Sequence, residues 1–220
     1  MAPRPDTDMH STRGDLEIRP PQQLRSRKSW ARILDSGVKI LEEGGYQAFT
    51  IAAVCERAGV VPRAIYARAD SKDALFLAVY EHASRKIDAE QIVFADDDHW
   101  GGFSPPELVA EAVLQVTNIF RRHSAFLRPV VLVSGADDAI YRAGSANTKA
   151  LADRFTERLL RSLPPLRHPD RNSAVRMCFS MVFYAIALRN AYGTDFAGPD
   201  TDLPSYAAGL QDMAIRYLLA

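Results

Sequence analysis

The stretch from Thr50 to Lys72, TIAAVCERAGVVPRAIYARADSK, sets two short helical patterns around a glycine corner and then opens a third helix, and this order constrains the fold more than any other part of the chain. In the first pattern the Thr50 hydroxyl is placed to cap, and Ile51, Val54, Cys55 and Ala58 fall on one face at helical spacing. Gly59 ends the pattern. Having no Cβ, glycine takes the left-handed conformation that lets a helix stop and the chain turn, so Ala58-Gly59-Val60 is a corner with Val60 directed back to the core. Pro62 suits the next helix's first turn, where its missing N–H has no intrahelical partner, and Ile65 with Val61 supplies a small apolar face. Arg63, Ala64, Ala67 and Arg68 are left facing outward. Ser71 caps a third helix, with Lys72 and Asp73 in its first turn and Ala74, Leu75, Ala78 and Val79 as its buried stripe.

Upstream, Trp30, Ile33, Leu34, Val38 and Leu41 recur at three- and four-residue steps until Gly44-Gly45 stops the run. Three helices therefore fold over one small core, with Tyr46 and Phe49 bridging the first turn, in the outline of a DNA-reading helix-turn-helix. The Leu41-x-x-x-Gly45 step, Tyr46, Phe49-Thr50, Val54, the Ala58-Gly59-Val60 corner, Ile65-Tyr66 and Ser71-Lys72-x-x-Leu75 together resemble the TetR family of repressors over the first third of the chain. The resemblance implies an all-α fold, with an N-terminal three-helix helix-turn-helix domain followed by a larger helical ligand-binding and dimerisation domain. The chain departs from the family pattern at Val61, where a polar cap is usual, at Ala67, Arg68 and Ala69, where aromatic residues or histidine are common, and at Asp70.

The 220 residues exceed what that module needs, and 47% hydrophobic content is ample for a second packed region. Formal net charge is zero, yet residues 19–72 hold ten basic residues against five acids, a local excess that suits a polyanionic partner. Cys55 and Cys178 both sit in apolar helical patterns, as in a reduced cytoplasmic protein. No run approaches a membrane span, and the N-terminus lacks an apolar signal segment. Residues 1–23 read as a disordered tail, at whose end Arg19, Arg25, Arg27 and Lys28 are candidates for phosphate or minor-groove contact. Residues 24–70 are then the DNA-binding domain, 71–94 a connecting helix, 95–106 a linker and 107–220 the second domain. Within the linker, Asp96-Asp97-Asp98 beside His99 reads as a solvated loop rather than a cation site, because adjacent residues on an extended chain point in different directions.

Beyond the linker the pattern is helical throughout. Leu108, Val109, Ala112, Val113, Val116, Ile119 and Phe120 form one stripe, and residues 126–133 a separate short apolar one punctuated by Pro129. A longer helix is expected over 138–163, ended by Pro164-Pro165, then one over 170–192 that is apolar nearly all round and must be covered on two sides, and a last over 203–219. Two apolar C-terminal helices fit a homodimer interface, where TetR-like proteins pair through a four-helix bundle, and pairing places two recognition helices about 34–36 Å apart on one face of DNA.

The expected roles follow. Lys72 and Tyr66 hold phosphates, with the Thr50 hydroxyl at another. Arg63 makes a bidentate contact to guanine, Arg68 reaches a phosphate or a base, and Val61, Pro62 and Ala64 offer apolar contact, leaving Arg27 and Lys28 for the flanking backbone. An effector pocket in the second domain is implied by the resemblance, lined by Asn118, Phe120, Phe126, Val131, Phe155, Phe179, Phe183 and Tyr184, with Thr117 as a further polar handle. The expected partners are therefore an operator duplex, a small apolar or aromatic effector and a second copy of the chain. No nucleophile-base spacing, phosphate-binding glycine loop or paired carboxylates mark an enzyme, and no cofactor or metal motif is present. The alternative is a helical small-molecule sensor or partner-binding protein with weak or lost DNA binding.

Overall fold

The computed structural model describes residues 24–196 and 201–220, and every regular element among them is a helix. The expected tail over residues 1–23, with Arg19, lies outside the described residues, as does the side chain of Arg25.

The N-terminal module comprises α1 (Leu24–Ala48), α2 (Ile51–Ala58) and α3 (Pro62–Tyr66), with α4 (Lys72–Glu90) beneath them. Gly44-Gly45 interrupts α1 as expected: Gly45 is non-helical at φ 64° and ψ −165°, and a short helical stretch follows it to Ala48. That left-handed φ costs glycine little and any other residue more. Gly37 is required for a different reason, since a Cβ there would lie 2.5 Å from Val79 Cγ2 and 3.1 Å from Phe49 Cε2. The small residue lets α1 and α4 approach closely over a core in which Phe76 meets Tyr46 and Phe49 edge-on, with ring centres 5.0 and 5.5 Å apart.

The link to the second region is more ordered than a linker over 95–106. A 3₁₀ turn (Gln91–Ala95) leads into the single-turn α5 (Asp97–Trp100), whose cap is Asp96, its carboxylate accepting from the Asp98 and His99 amides. Trp100 is buried, its indole N–H donates to the Val93 carbonyl at 2.6 Å, and its ring stacks on Phe94. Arg158, only 3% exposed, donates to the Phe94 carbonyl at 2.7 Å and pairs with Asp97 at 2.8 Å. Burying two rings gives this short segment the apolar area to offset its ordering, which its Asp- and Gly-rich composition conceals.

The remaining helices are α6 (Pro105–Ser134), α7 (Asp138–Ser162), α8 (Arg171–Tyr192) and α9 (Leu203–Leu219). The two stripes read from sequence, 108–120 and 126–133, lie on two helical segments of α6 that meet at a kink at His123 (φ −115°, ψ 18°), and the second segment carries Pro129. The missing N–H of Pro129 leaves the Ala125 carbonyl without its helical partner, which loosens the ladder one turn downstream of the break. Glu90, the last residue of α4, receives His123 Nε2 at 2.9 Å and Arg122 Nε at 3.2 Å, fastening α4 to the break. Both α1 and α4 pack on α6, and one contiguous cluster of buried side chains runs from Trp30 to Leu218.

Candidate DNA interface and effector cavity

The corner of the helix-turn-helix is built from local bonds. Thr50 Oγ1 accepts from the Ala53 amide at 3.1 Å. At the other end Gly59, in the left-handed region at φ 63°, donates to the Glu56 carbonyl at 3.2 Å, and Val60 donates to Cys55 at 3.0 Å, the paired closure of a Schellman turn. Val61 begins α3 with no side-chain cap, and Pro62 occupies its first turn. The expectation that Val61 shares an apolar face with Ile65 is corrected: Ile65 is fully buried, whereas Val61 is 68% exposed. One residue before the helix, in extended conformation, the chain aims Val61 away from the core.

Of the expected DNA-facing residues, Thr50, Val61, Pro62, Arg63 and Tyr66 are exposed and Ala64 is half-buried. Arg27 and Lys28 are exposed near the start of α1. Lys72 is half-buried and fixed: its ammonium lies 3.8 Å from the centre of the Tyr46 ring and donates to the Tyr46 carbonyl at 3.4 Å. The Tyr46 hydroxyl donates to Asp73 at 3.1 Å, and burial, reinforced by the Asp73 charge, pushes its pKa up to about 12.

Arg68 does not face outward as expected. Its guanidinium donates to Ser26 Oγ and lies 5.7 Å from the centre of the Trp30 ring, so it clamps the end of α3 to α1. The local charge excess is also narrower than a count of residues suggests. Arg57 is bidentate to Glu43 at 2.9 and 2.5 Å, and Lys39 pairs with Glu42 at 2.6 Å. Arg63 is exposed and, among the described residues, its side chain makes no hydrogen bond or ion pair.

The second site is a cavity of about 510 Å³ between α4, α6, α7 and α8, lined mainly by apolar atoms. Phe120, Val131, Phe183 and Tyr184 line it as expected. Asn118, Phe126, Phe155 and Phe179 do not, nor does Thr117, whose hydroxyl donates to the Leu114 carbonyl. Phe126 stacks against Tyr80, and Phe155 is fully buried between Phe94 and Phe179, so these rings are core. Two walls were missed from sequence: a face of α4, formed by Tyr80, Ser84, Ile87 and Asp88 and continued by Gln91, and a face of α7 that includes Ile140, Tyr141, Asn147 and Leu151. The α4 residues recur at helical spacing, but on a helix whose sequence reads as a connection between domains. Tyr80 is held by Asn147 Nδ2, which donates to its hydroxyl at 2.9 Å, and burial raises the Tyr80 pKa.

Both thiols are free and buried, and burial pushes Cys178 up to about 12 and Cys55 upward as well, so neither is a ready nucleophile. Two of the aspartates at 96–98 have structural partners: Asp96 caps α5 and Asp97 pairs with Arg158. Among the described residues no helix is long and apolar enough to cross a membrane.

The helix-turn-helix closed by a Schellman corner is followed by a helical body around a cavity, an arrangement of the TetR-like fold class. Residues 33–79 match the model of the bacterial regulatory proteins of the tetR family, and the chain has a TetR-like fold, an N-terminal helix-turn-helix followed by a larger helical domain. Solved structures agree in fold. A TetR transcription regulator from Haloarcula marismortui superposes with a TM-score of 0.66 at 14% identity, covering 87% of this chain and 96% of its own. A transcriptional regulator from Rhodococcus sp. gives 0.65 at 14%, covering 86% and 97%. A transcriptional regulator from Saccharomonospora viridis, solved in complex with choline, gives 0.67 at 11%, covering 88% and 98%. No curated protein matches by sequence.

Proposed function

We propose that this chain is a cytoplasmic repressor that holds an operator as a homodimer and leaves it when a small molecule fills the cavity between α4, α6, α7 and α8. The observation that carries the reading is the double use of α4. Its first residue, Lys72, sits in the DNA-facing module, and Tyr80, Ser84 and Asp88 of the same helix wall the cavity. At 1.5 Å per residue, Lys72 and Asp88 are about 24 Å apart along one rigid rod, so a ligand that moves the wall also moves the module. A ligand shifts the equilibrium only by its differential affinity for the two arrangements. The choline complex of the Saccharomonospora viridis regulator supports the use of this fold for small-molecule binding.

Dimerisation is supported by α8. One face, with Val175, Cys178, Phe179 and Val182, is buried in the chain, while Met177, Tyr184 and Leu188 are 54%, 63% and 48% exposed. Met213 of the adjoining α9 is also exposed, so the pair presents apolar side chains that a second copy would cover. On the DNA side, the exposed Arg63 and Tyr66 favour operator reading over a sensor that has lost DNA binding. Gel shift with the DNA upstream of the chain's own gene tests the proposal. A retarded dimer complex released by a compound that also raises the melting temperature is the expected result; absence of any specific shift sinks it in favour of the sensor alternative.

A further inference from the structure

The cavity wall carries a carboxylate that an apolar ligand would leave uncompensated. Asp88 is half-buried and lines the cavity, and among the described residues the hydrogen-bond partner of its carboxylate is the neutral Gln91 side chain, which donates to Asp88 Oδ1 at 3.3 Å. The nearest guanidinium in that chain of contacts, Arg154, is held to the other end of the Gln91 amide and is not part of the wall. Lys149 is the other charged residue lining the cavity, and it is exposed, so water screens it. Around the carboxylate the walls supply π-faces: Tyr80 from α4, Phe120 from α6, and Phe183 and Tyr184 from α8. Phe183 stands 5.5 Å from Phe120 and 6.1 Å from Tyr184, so these three rings form one aromatic surface.

Filling this space removes water from Asp88. With a neutral ligand the carboxylate loses solvation and gains nothing; with an anion it is repelled. A cation restores the lost solvation through a charge pair, and the aromatic faces attract the same charge. We propose that the effector is an organic monocation, an amine or quaternary ammonium with an apolar or aromatic body that fits about 510 Å³, whose charged group sits against Asp88. This rests on reading the cavity as the effector site and replaces the neutral apolar or aromatic ligand expected from sequence.

Three probes of similar body isolate the charge: 4-phenylbutyltrimethylammonium, 4-phenylbutanol and 4-phenylbutyrate, titrated calorimetrically into the full-length protein. The cation is expected to bind at least about tenfold tighter than the alcohol, and the anion weakest. Asp88→Asn, which keeps the shape and a hydrogen bond to Gln91, is expected to abolish the preference for the cation while leaving alcohol binding and melting temperature unchanged. Asp88→Glu retains the preference, and Lys149→Ala leaves cation binding equal or stronger. Equal affinities for the three probes, tighter binding of the anion, no binding of any of them, or a cation preference that survives Asp88→Asn each overturns the proposal. Operator release, followed separately by gel shift, distinguishes the two readings. Asp88-dependent cation binding without release keeps the ligand class and removes the sensor mechanism, whereas release by the alcohol with no gain for the cation does the reverse.

Discussion

The Lys72 ammonium rests 3.8 Å from the centre of the Tyr46 ring while also donating to the Tyr46 carbonyl, so a charge at the start of α4 is fixed by the end of α1. A held charge loses less side-chain entropy on meeting a phosphate than a free one. Lys72→Ala is expected to weaken specific and random DNA alike and to reduce the salt slope by about one, whereas Tyr46→Leu keeps the charge, weakens binding less and leaves the slope unchanged. Binding titrations across a salt series check both, and an unaltered slope in Lys72→Ala would remove Lys72 from the interface.

Arg63 and Arg68 are expected to separate in the same assay. Arg63→Ala loses about 1–3 kcal/mol of discrimination at one base pair with little change in melting temperature. Arg68→Ala frees the end of α3 from Trp30 and Ser26, so it lowers the melting temperature and depresses all DNA binding without changing base preference. A shift in base preference on Arg68→Ala, with stability intact, would show that the clamp opens on DNA.

Gly37→Ala places a methyl 2.5 Å from Val79 Cγ2, a clash in a packed core that is expected to cost about 1–3 kcal/mol. Adding Val79→Ala relieves the contact and returns part of the loss, so the two changes are non-additive. Urea unfolding of the single and double variants measures the coupling; simple additivity would contradict the close approach of α1 and α4.

The Asp97 carboxyl is held below its usual pKa, first by its hydrogen bond with Arg158 and then by the Arg158 charge. A depressed folded pKa means that the pair stabilises the fold at pH values above the unfolded value of 3.8, and that this contribution disappears as pH falls through the folded value below it. Asp97→Asn is therefore expected to be less stable than the parent at neutral pH and to converge with it in strong acid. Melting temperatures between neutral and strongly acidic pH test this, and a constant gap between the two proteins would exclude the linkage.

Leu188→Asp puts a charge in the exposed apolar stripe of α8, at a residue that also borders the cavity. Light scattering at micromolar concentration is expected to show a dimer for the parent and a monomer for the variant, with operator affinity lost in parallel. A monomeric parent would refute the pairing of α8 and α9 with their copies.

Capping and turn chemistry made the N-terminal module legible in the chain itself. Thr50 bonds the Ala53 amide, Ser71 the Ala74 amide, and Gly59 turns by a left-handed φ, all within a few residues, so local order was enough to place α2, α3 and the start of α4. The buried stripes of α4 and α8 were equally readable from spacing. Which of those stripes meet without a gap was not. Phe126, Phe155 and Phe179 pack in solid core, while Phe120, Phe183 and Tyr184 border a cavity whose other walls come from α7 and from α4, with Tyr80 and Asp88, a helix that reads from sequence as a connection. Periodicity fixes the direction of a side chain around its own axis, but a cavity exists only where neighbouring axes are offset, and a guanidinium such as that of Arg68 chooses between solvent and an aromatic ring brought to it from 38 residues away in sequence. Bonds between near neighbours in the chain define the helix-turn-helix and its corner, whereas the packing of Arg68 on Trp30 and the presence of a carboxylate in the cavity wall depend on the distance between helices rather than on the order of residues within one.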